Sequence, residues 1–194
     1  MKRVLLGVAM VFAAFPAMAK YEPWPPQKWP PFSWPDAYTV TAHESSMSKG
    51  GAPETSVYRR DDDHARIDIG GPLNTREVQI FWMEEHRKIS YQPGGPVQES
   101  ALPENWRMTQ FYPDGDQWEA LGVDPLNGKK SLKYKIWRNP QEAEKLGLAP
   151  HALFWLSTDH KTPLRLIDGD RRVDFTDYAE GAQDEALFEA PAAK

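Results

Sequence analysis

No cysteine occurs among the 194 residues, which excludes disulfide scaffolds, thiolate zinc sites, cysteine nucleophiles and a lipidated N-terminal cysteine. Positive charge is in deficit as well. The 23 Lys and Arg stand against 28 Asp and Glu, a net charge of −5, which argues against a general nucleic-acid binder. Beyond residue 19 no apolar run is long enough to cross a bilayer. Strand and helix signals never alternate, so parallel nucleotide-binding sheets are excluded. Neither a G-x-S-x-G elbow nor an H-E-x-x-H pair occurs, and no internal repeat is visible.

The one long apolar run sits at the N-terminus. Lys2 and Arg3 precede Val4 to Phe15, and Ala17 and Ala19 supply a small-x-small cleavage pattern. A run of about 12 residues makes a helix of roughly 18 Å, too short for a hydrocarbon core of about 30 Å. Residues 1–19 therefore read as a cleavable secretory signal peptide, with export to the periplasm and cleavage after Ala19. Loss of two basic residues from the 23 takes the balance to 21 against 28, or −7.

Residues 20–36 form a second segment, an extended arm. Positions 21–36 contain six Pro and three Trp, which blocks both helix and central-strand pairing. Two readings of Trp24, Trp29 and Trp34 stand: a strap whose indoles cover apolar sheet surface, or a recognition segment for an aromatic-lined groove on another protein.

From residue 37 to the end the pattern has period two, and this is the third segment, an antiparallel β domain. Tyr38, Val40 and Ala42 alternate with polar residues, as do Ala65, Ile67 and Ile69, then Val78, Ile80 and Trp82, then Ile89 and Tyr91, then Trp106 and Met108. Later strands are predicted at Lys130–Trp137, Ala152–Thr158, Leu164–Asp168, Arg172–Tyr178 and Ala186–Phe188. Turn-forming clusters separate them, among them 61–63, 70–72, 93–96 and 124–128. One helix is signalled over 140–146, with Asn139 as N-cap, Pro140 at its first position and Gly147 past its end. About ten strands with one or two short helices make a mainly β chain, a single antiparallel sheet curled into a barrel, half-barrel or sandwich.

Catalytic constellations are weak. In His43-Glu44-Ser45-Ser46, strand alternation sends base and acid to opposite faces. Asp61-Asp62-Asp63-His64 is rich in metal ligands, but neighbouring carboxylates diverge and position 72, where a calcium loop closes with Glu, is Pro. Glu84 and Glu85 adjoin at a turn and cannot face one cleft as a glycosidase pair must. No enzyme, metal or cofactor is expected. Lys129, Lys130, Lys133, Lys135 and Arg138 bracket one strand, either guarding a sheet edge or facing an anionic surface or acidic partner.

The order of several segments carries a resemblance. Tyr38-Thr-Val-Thr-Ala, Arg66-Ile-Asp-Ile, Trp118-Glu-Ala-Leu-Gly, Lys133-Tyr-Lys-Ile after Asn127-Gly128, Leu153-Phe-Trp-Leu-Ser, Thr162-Pro-Leu-Arg-Leu-Ile and Ala186-Leu-Phe-Glu-Ala-Pro follow one another over residues 37–191. In this the chain resembles the LolA/LolB-like superfamily of periplasmic lipoprotein-localisation factors. The resemblance implies a half-barrel whose concave face holds acyl chains, with a lipid or a lipidated protein, or a periplasmic protein, as partner. The Trp/Pro arm takes the place of the helix that would precede the first strand. From alternation, the expected hydrophobic cavity is lined by Tyr38, Val40, Ile67, Ile69, Val78, Ile80, Trp82, Tyr134, Ile136 and Trp155. The function so read is non-catalytic binding of a lipid or other apolar group. An interaction module using the Trp/Pro arm and an exposed sheet edge is the alternative, and an enzyme of unknown reaction a third.

Overall fold

The computed structural model describes residues 32–103 and 117–191. Among the described residues eleven strands form one curved, unclosed antiparallel sheet. In chain order they are β1 (Ala37–Ser46), β2 (Glu54–Asp61), β3 (His64–Ile69), β4 (Glu77–Trp82), β5 (Arg87–Tyr91), β6 (Gln98–Ala101), β7 (Gln117–Leu126), β8 (Lys129–Trp137), β9 (His151–Ser157), β10 (Pro163–Asp168) and β11 (Arg171–Glu180). Helix α1 (Pro140–Leu146) joins β8 to β9, and a 3-10 helix (Glu185–Phe188) follows β11. Spatially the order is β6-β5-β4-β3-β2-β1-β11-β10-β9-β8-β7. Two meanders thus meet where the first and last strands pair, and this long-range β1–β11 contact is the only non-sequential one in the order.

Local chemistry accounts for the connections. The β7–β8 hairpin turns on Asn127 and Gly128, both at positive φ (50° and 77°), the conformation a two-residue hairpin loop with right-handed twist requires. The Asn139 side chain accepts a hydrogen bond from the Gln141 amide at 2.9 Å, capping α1 as its sequence predicts. Gly70 ends β3 at φ 100°, and a Cβ there would come within 2.3 Å of the Asn74 carbonyl oxygen.

The predicted mainly β, antiparallel class is the observed one, with several differences in detail. Residues 186–188 are 3-10 helix rather than strand. The Asp184 carboxylate accepts from the Ala186 amide at 3.0 Å and the Asp184 carbonyl from the Leu187 amide at 2.9 Å, which closes a turn instead of a ladder. Strands β2, β6 and β7 are not among the predicted ones, and β2 and β6 carry no clean alternation. In β2 the consecutive residues Ser56, Val57 and Tyr58 are all buried, because both faces of this inner strand are covered. The segment 124–126, expected as part of a turn, belongs to β7. Pro125 is accommodated because, among the described residues, β7 has a neighbour on one side only, and a bulge between Ala120 and Gly122 re-registers it. The strand expected around Trp106 and Met108 lies outside the described residues.

The lysine-bearing strand is a correction too. β8 is flanked by β7 and β9, so Lys133 and Lys135 guard no edge. They lie over indoles instead: Lys133 Nζ is 4.8 Å from the Trp155 ring centroid and Lys135 Nζ 3.8 Å from that of Trp137. Arg138, read with them as part of a basic stripe, is buried.

Cross-strand register sorts the side chains into two layers. The concave layer is one buried cluster that includes Tyr38, Val40, Ala42, Tyr58, Ile67, Phe81, Trp118, Tyr134, Ile136, Phe154, Leu166, Val173 and Phe175. Phe32 is buried in it and Trp34 packs against it, both from the chain just ahead of β1. The Phe32 ring lies 6.1 Å from Phe154 and 5.2 Å from Trp34, which in turn lies 4.9 Å from Tyr38. A second, smaller cluster of Val78, Ile80, Trp82 and Ile89 sits on the opposite face under Phe188 of the 3-10 helix. Among the described residues no helix is long and apolar enough to cross a membrane.

Candidate functional site

The residues expected to line one cavity lie on both faces of the sheet. Tyr38, Val40, Ile67, Tyr134 and Ile136 belong to the buried concave cluster, and Ile69 packs against it. Val78, Ile80 and Trp82 belong to the cluster on the opposite face. Trp155 pairs in register with Lys133 and Arg165, which places it on that opposite face too. Alternation fixes parity within a strand but not between strands. Loops decide the latter: Val78 stands opposite Asp68, whereas Gln79 stands opposite Ile67.

Among the described residues the concave face has open space at the end where β1 and β3 finish and β2, β4 and β11 begin. A pocket of about 360 Å³ there is lined by Ala42, Ile67, Ile69 and Tyr58 and by the polar residues Glu44, Glu54, Ser56, Gln79 and Arg171. Its volume lies within the range of small-ligand sites, about 300–1,000 Å³. Pairing builds it: Ala42 stands opposite Ser56, Ser56 opposite Ile69, and Tyr58 opposite Ile67. Arg171 Nη2 donates to Glu44 Oε2 at 2.7 Å, and Arg76 pairs with Glu54 beside it. Gln79 Nε2 donates to Glu77 Oε1 at 2.7 Å. Tyr58 is buried, and its phenol is pushed up to about 12, first by burial and next by Glu44. It is a neutral hydrogen-bonding group at any ordinary pH. Of this set, Ile67 and Ile69 were legible in the sequence. Ser56 and Tyr58 were not, since β2 itself was not, and Glu44 and Arg171 come together only through β1–β11 pairing.

A second hollow, about 480 Å³, lies on the other side of the sheet at the opposite end, between Asp61, Asp62, Asp63, His64, Trp82, Glu185, Phe188 and Glu189. Among the described residues no group of three or more His, Asp and Glu is arranged to hold a metal ion. His43 is tied into structure. Its Nδ1 and Nε2 each lie 3.1 Å from a threonine hydroxyl, Thr55 and Thr176, while Glu44 faces the other way. Glu85 pairs with Arg87 at 3.0 Å across its turn. Of the arm's tryptophans, Trp34 is packed as described, and Trp24 and Trp29 lie outside the described residues.

Trp155 has a structural partner that gives a measurable consequence. Its Nε1 donates to Asp124 Oδ2 at 3.0 Å, and Lys133 Nζ lies 3.3 Å from the same oxygen. The indole hydrogen bond first, and Lys133 next, hold the Asp124 carboxyl below its ordinary range. A carboxyl depressed in the folded state stabilises it above the unfolded pKa, and that contribution is lost as pH falls through the folded pKa. Trp155→Phe is therefore expected to move Asp124 up toward the ordinary carboxylate value and to weaken the acid-side dependence of stability. An NMR titration of the Asp124 side chain checks this, and an unmoved midpoint contradicts it.

No protein-family model matches the sequence, and no curated protein matches it either. Solved structures do. An uncharacterised conserved protein from Thermus thermophilus superposes with a TM-score of 0.53 at 12% identity, over 80% of this chain and 86% of its own. A LolA superfamily protein from Nitrosomonas europaea matches at a TM-score of 0.37 and 10% identity, over 80% and 90%. A DUF1329 family protein from Desulfovibrio piger matches at 0.38 and 12%, over 82% and 92%. At such identities the likeness concerns the fold alone. The fold shared with the Thermus thermophilus protein is an open, curved antiparallel sheet.

Proposed function

We propose that this chain is a non-catalytic binding protein that shelters an apolar group of a lipid or other amphiphile at the open end of its concave face, and that it works in the periplasm after removal of residues 1–19. The observation that carries the reading is the 360 Å³ pocket, where an apolar floor of Ala42, Ile67 and Ile69 meets a polar rim. Phe32, Trp34 and the aromatic residues beneath them fill the middle of the concavity, so the ligand group is small. Burying about eight methylenes at ~0.8 kcal/mol each contributes ~6 kcal/mol before the entropic cost of association, enough for reversible binding without chemistry. The partner is accordingly a lipid or a lipidated protein.

Native mass spectrometry of the protein recovered from the periplasm tests both parts. The expected spectrum has a polypeptide mass beginning at Lys20 and a fraction carrying an apolar adduct. Ile67→Trp, which places an indole where the pocket floor stands, is expected to abolish the adduct and the uptake of the apolar fluorophore N-phenyl-1-naphthylamine. Protein that carries no adduct and takes up no fluorophore contradicts the reading.

A further inference from the structure

The polar rim of the concave pocket is unevenly charged. Among the lining residues Glu44 and Glu54 contribute two carboxylates against the one guanidinium of Arg171; Arg76 and Glu77 stand outside the lining, paired with Glu54 and hydrogen-bonded by Gln79 respectively. Both guanidiniums are already engaged: Arg171 by Glu44 at 2.7 Å and Arg76 by Glu54. A ligand carboxylate entering here would compete with Glu44 for Arg171 or lie against Glu44 and Glu54 beside guanidiniums that are already paired. An ammonium, hydroxyl or amide N–H meets the reverse situation. Each carboxylate oxygen keeps acceptor capacity beyond its ion pair, and the remaining polar lining, Ser56, Tyr58 and Gln79, is neutral.

We infer that the pocket takes amphiphiles whose polar end is uncharged or cationic and discriminates against chains ending in a carboxylate. This specifies the ligand class of the binding reading above and rests on it. Burial first and Glu44 next push the Tyr58 phenol up, and Glu44 outweighs Arg171, which acts in the opposite sense. The pocket is enclosed on one side by the sheet itself, so the field of these carboxylates is less screened there than at an open surface.

Three ten-carbon amphiphiles separate the possibilities: decylammonium, decanamide and decanoate, titrated at pH 7 against bound N-phenyl-1-naphthylamine. Decanamide and decanoate are nearly isosteric, so their ratio isolates charge. Decanoate is expected to displace the fluorophore about tenfold less effectively than decanamide, with decylammonium at least equal to the amide. In the Glu44→Gln, Glu54→Gln double variant, which frees Arg171 and Arg76, the amide-to-acid ratio is expected to fall to about threefold or to reverse. Decanoate binding as tightly as decanamide in the unaltered protein overturns the inference and leaves the binding reading intact. If none of the three displaces the fluorophore, or if Ile67→Trp leaves displacement unchanged, the binding reading itself falls and takes the inference with it. The wild-type comparison needs no variant to fold.

Discussion

Asp168→Ala is expected to lower folding stability by about 3–5 kcal/mol, the range for removing one partner of a buried ion pair. Arg138 projects from the end of β8 with its side chain only 6% exposed, and Asp168, at the end of β10, is 16% exposed. The two Asp168 oxygens accept from Nη1 at 2.8 Å and Nη2 at 2.6 Å, and Nη1 also donates to the Ala149 carbonyl at 2.8 Å. The Arg138 amide donates to the Pro150 carbonyl at 3.1 Å. One guanidinium therefore fastens the α1 connection to the sheet. Among the described residues Nε has no acceptor, so removing Asp168 would leave a buried cation with the Ala149 carbonyl alone. For a chain of this size the loss corresponds to a drop in Tm on the order of 10 °C. The paired replacement Arg138→Met with Asp168→Leu is expected to recover most of it, since no charge is then left buried. Thermal melts of the single and double variants decide the matter. A single variant that melts within about 2 °C of the parent means that the pair is solvated and contributes little to stability.

The second large effect concerns the chain ahead of β1. Phe32→Ala is expected to cost about 3–5 kcal/mol, and adding Trp34→Ala more, because both rings are part of the concave core. Trp34 lies 4.9 Å from Tyr38, 5.7 Å from Phe175 and 6.0 Å from Tyr178, and Phe32 lies 6.2 Å from Tyr178. Urea denaturation of the two variants measures the cost. This also separates the two readings of the arm over the part that is described. A strap predicts lower midpoints. A recognition segment predicts unchanged midpoints and lost partner binding, and packing of these rings onto the sheet favours the strap.

Much of this is legible in the sequence. Tyr38, Val40 and Ala42 alternate because one face of β1 is packed, and Ile136 and Tyr134 do the same on β8. Helix α1 announced itself through Asn139, Pro140 and Gly147, all local signals. The pocket was half legible. Ile67 and Ile69 stand in a clean alternation, while their partners Tyr58 and Ser56 sit in a polar-looking strand whose burial comes from neighbours on both sides.

What the sequence determined by itself is the class: short alternating segments, turn residues between them and almost no helix leave an antiparallel sheet as the way to bury its apolar side chains. Tertiary structure alone decided which alternating sets share a face. Val78, Ile80 and Trp82 have the same pattern as Ile67 and Ile69 yet point the other way, toward Phe188. It also decided that the protein's own Phe32 and Trp34 fill the centre of the concavity and that Glu44 meets Arg171. The first depends on the β3–β4 register, where Val78 stands opposite Asp68, and the last two on contacts between residues more than a hundred positions apart, Phe32 with Phe154 and Glu44 with Arg171. A period-two pattern, being a property of one strand, holds no information about that register.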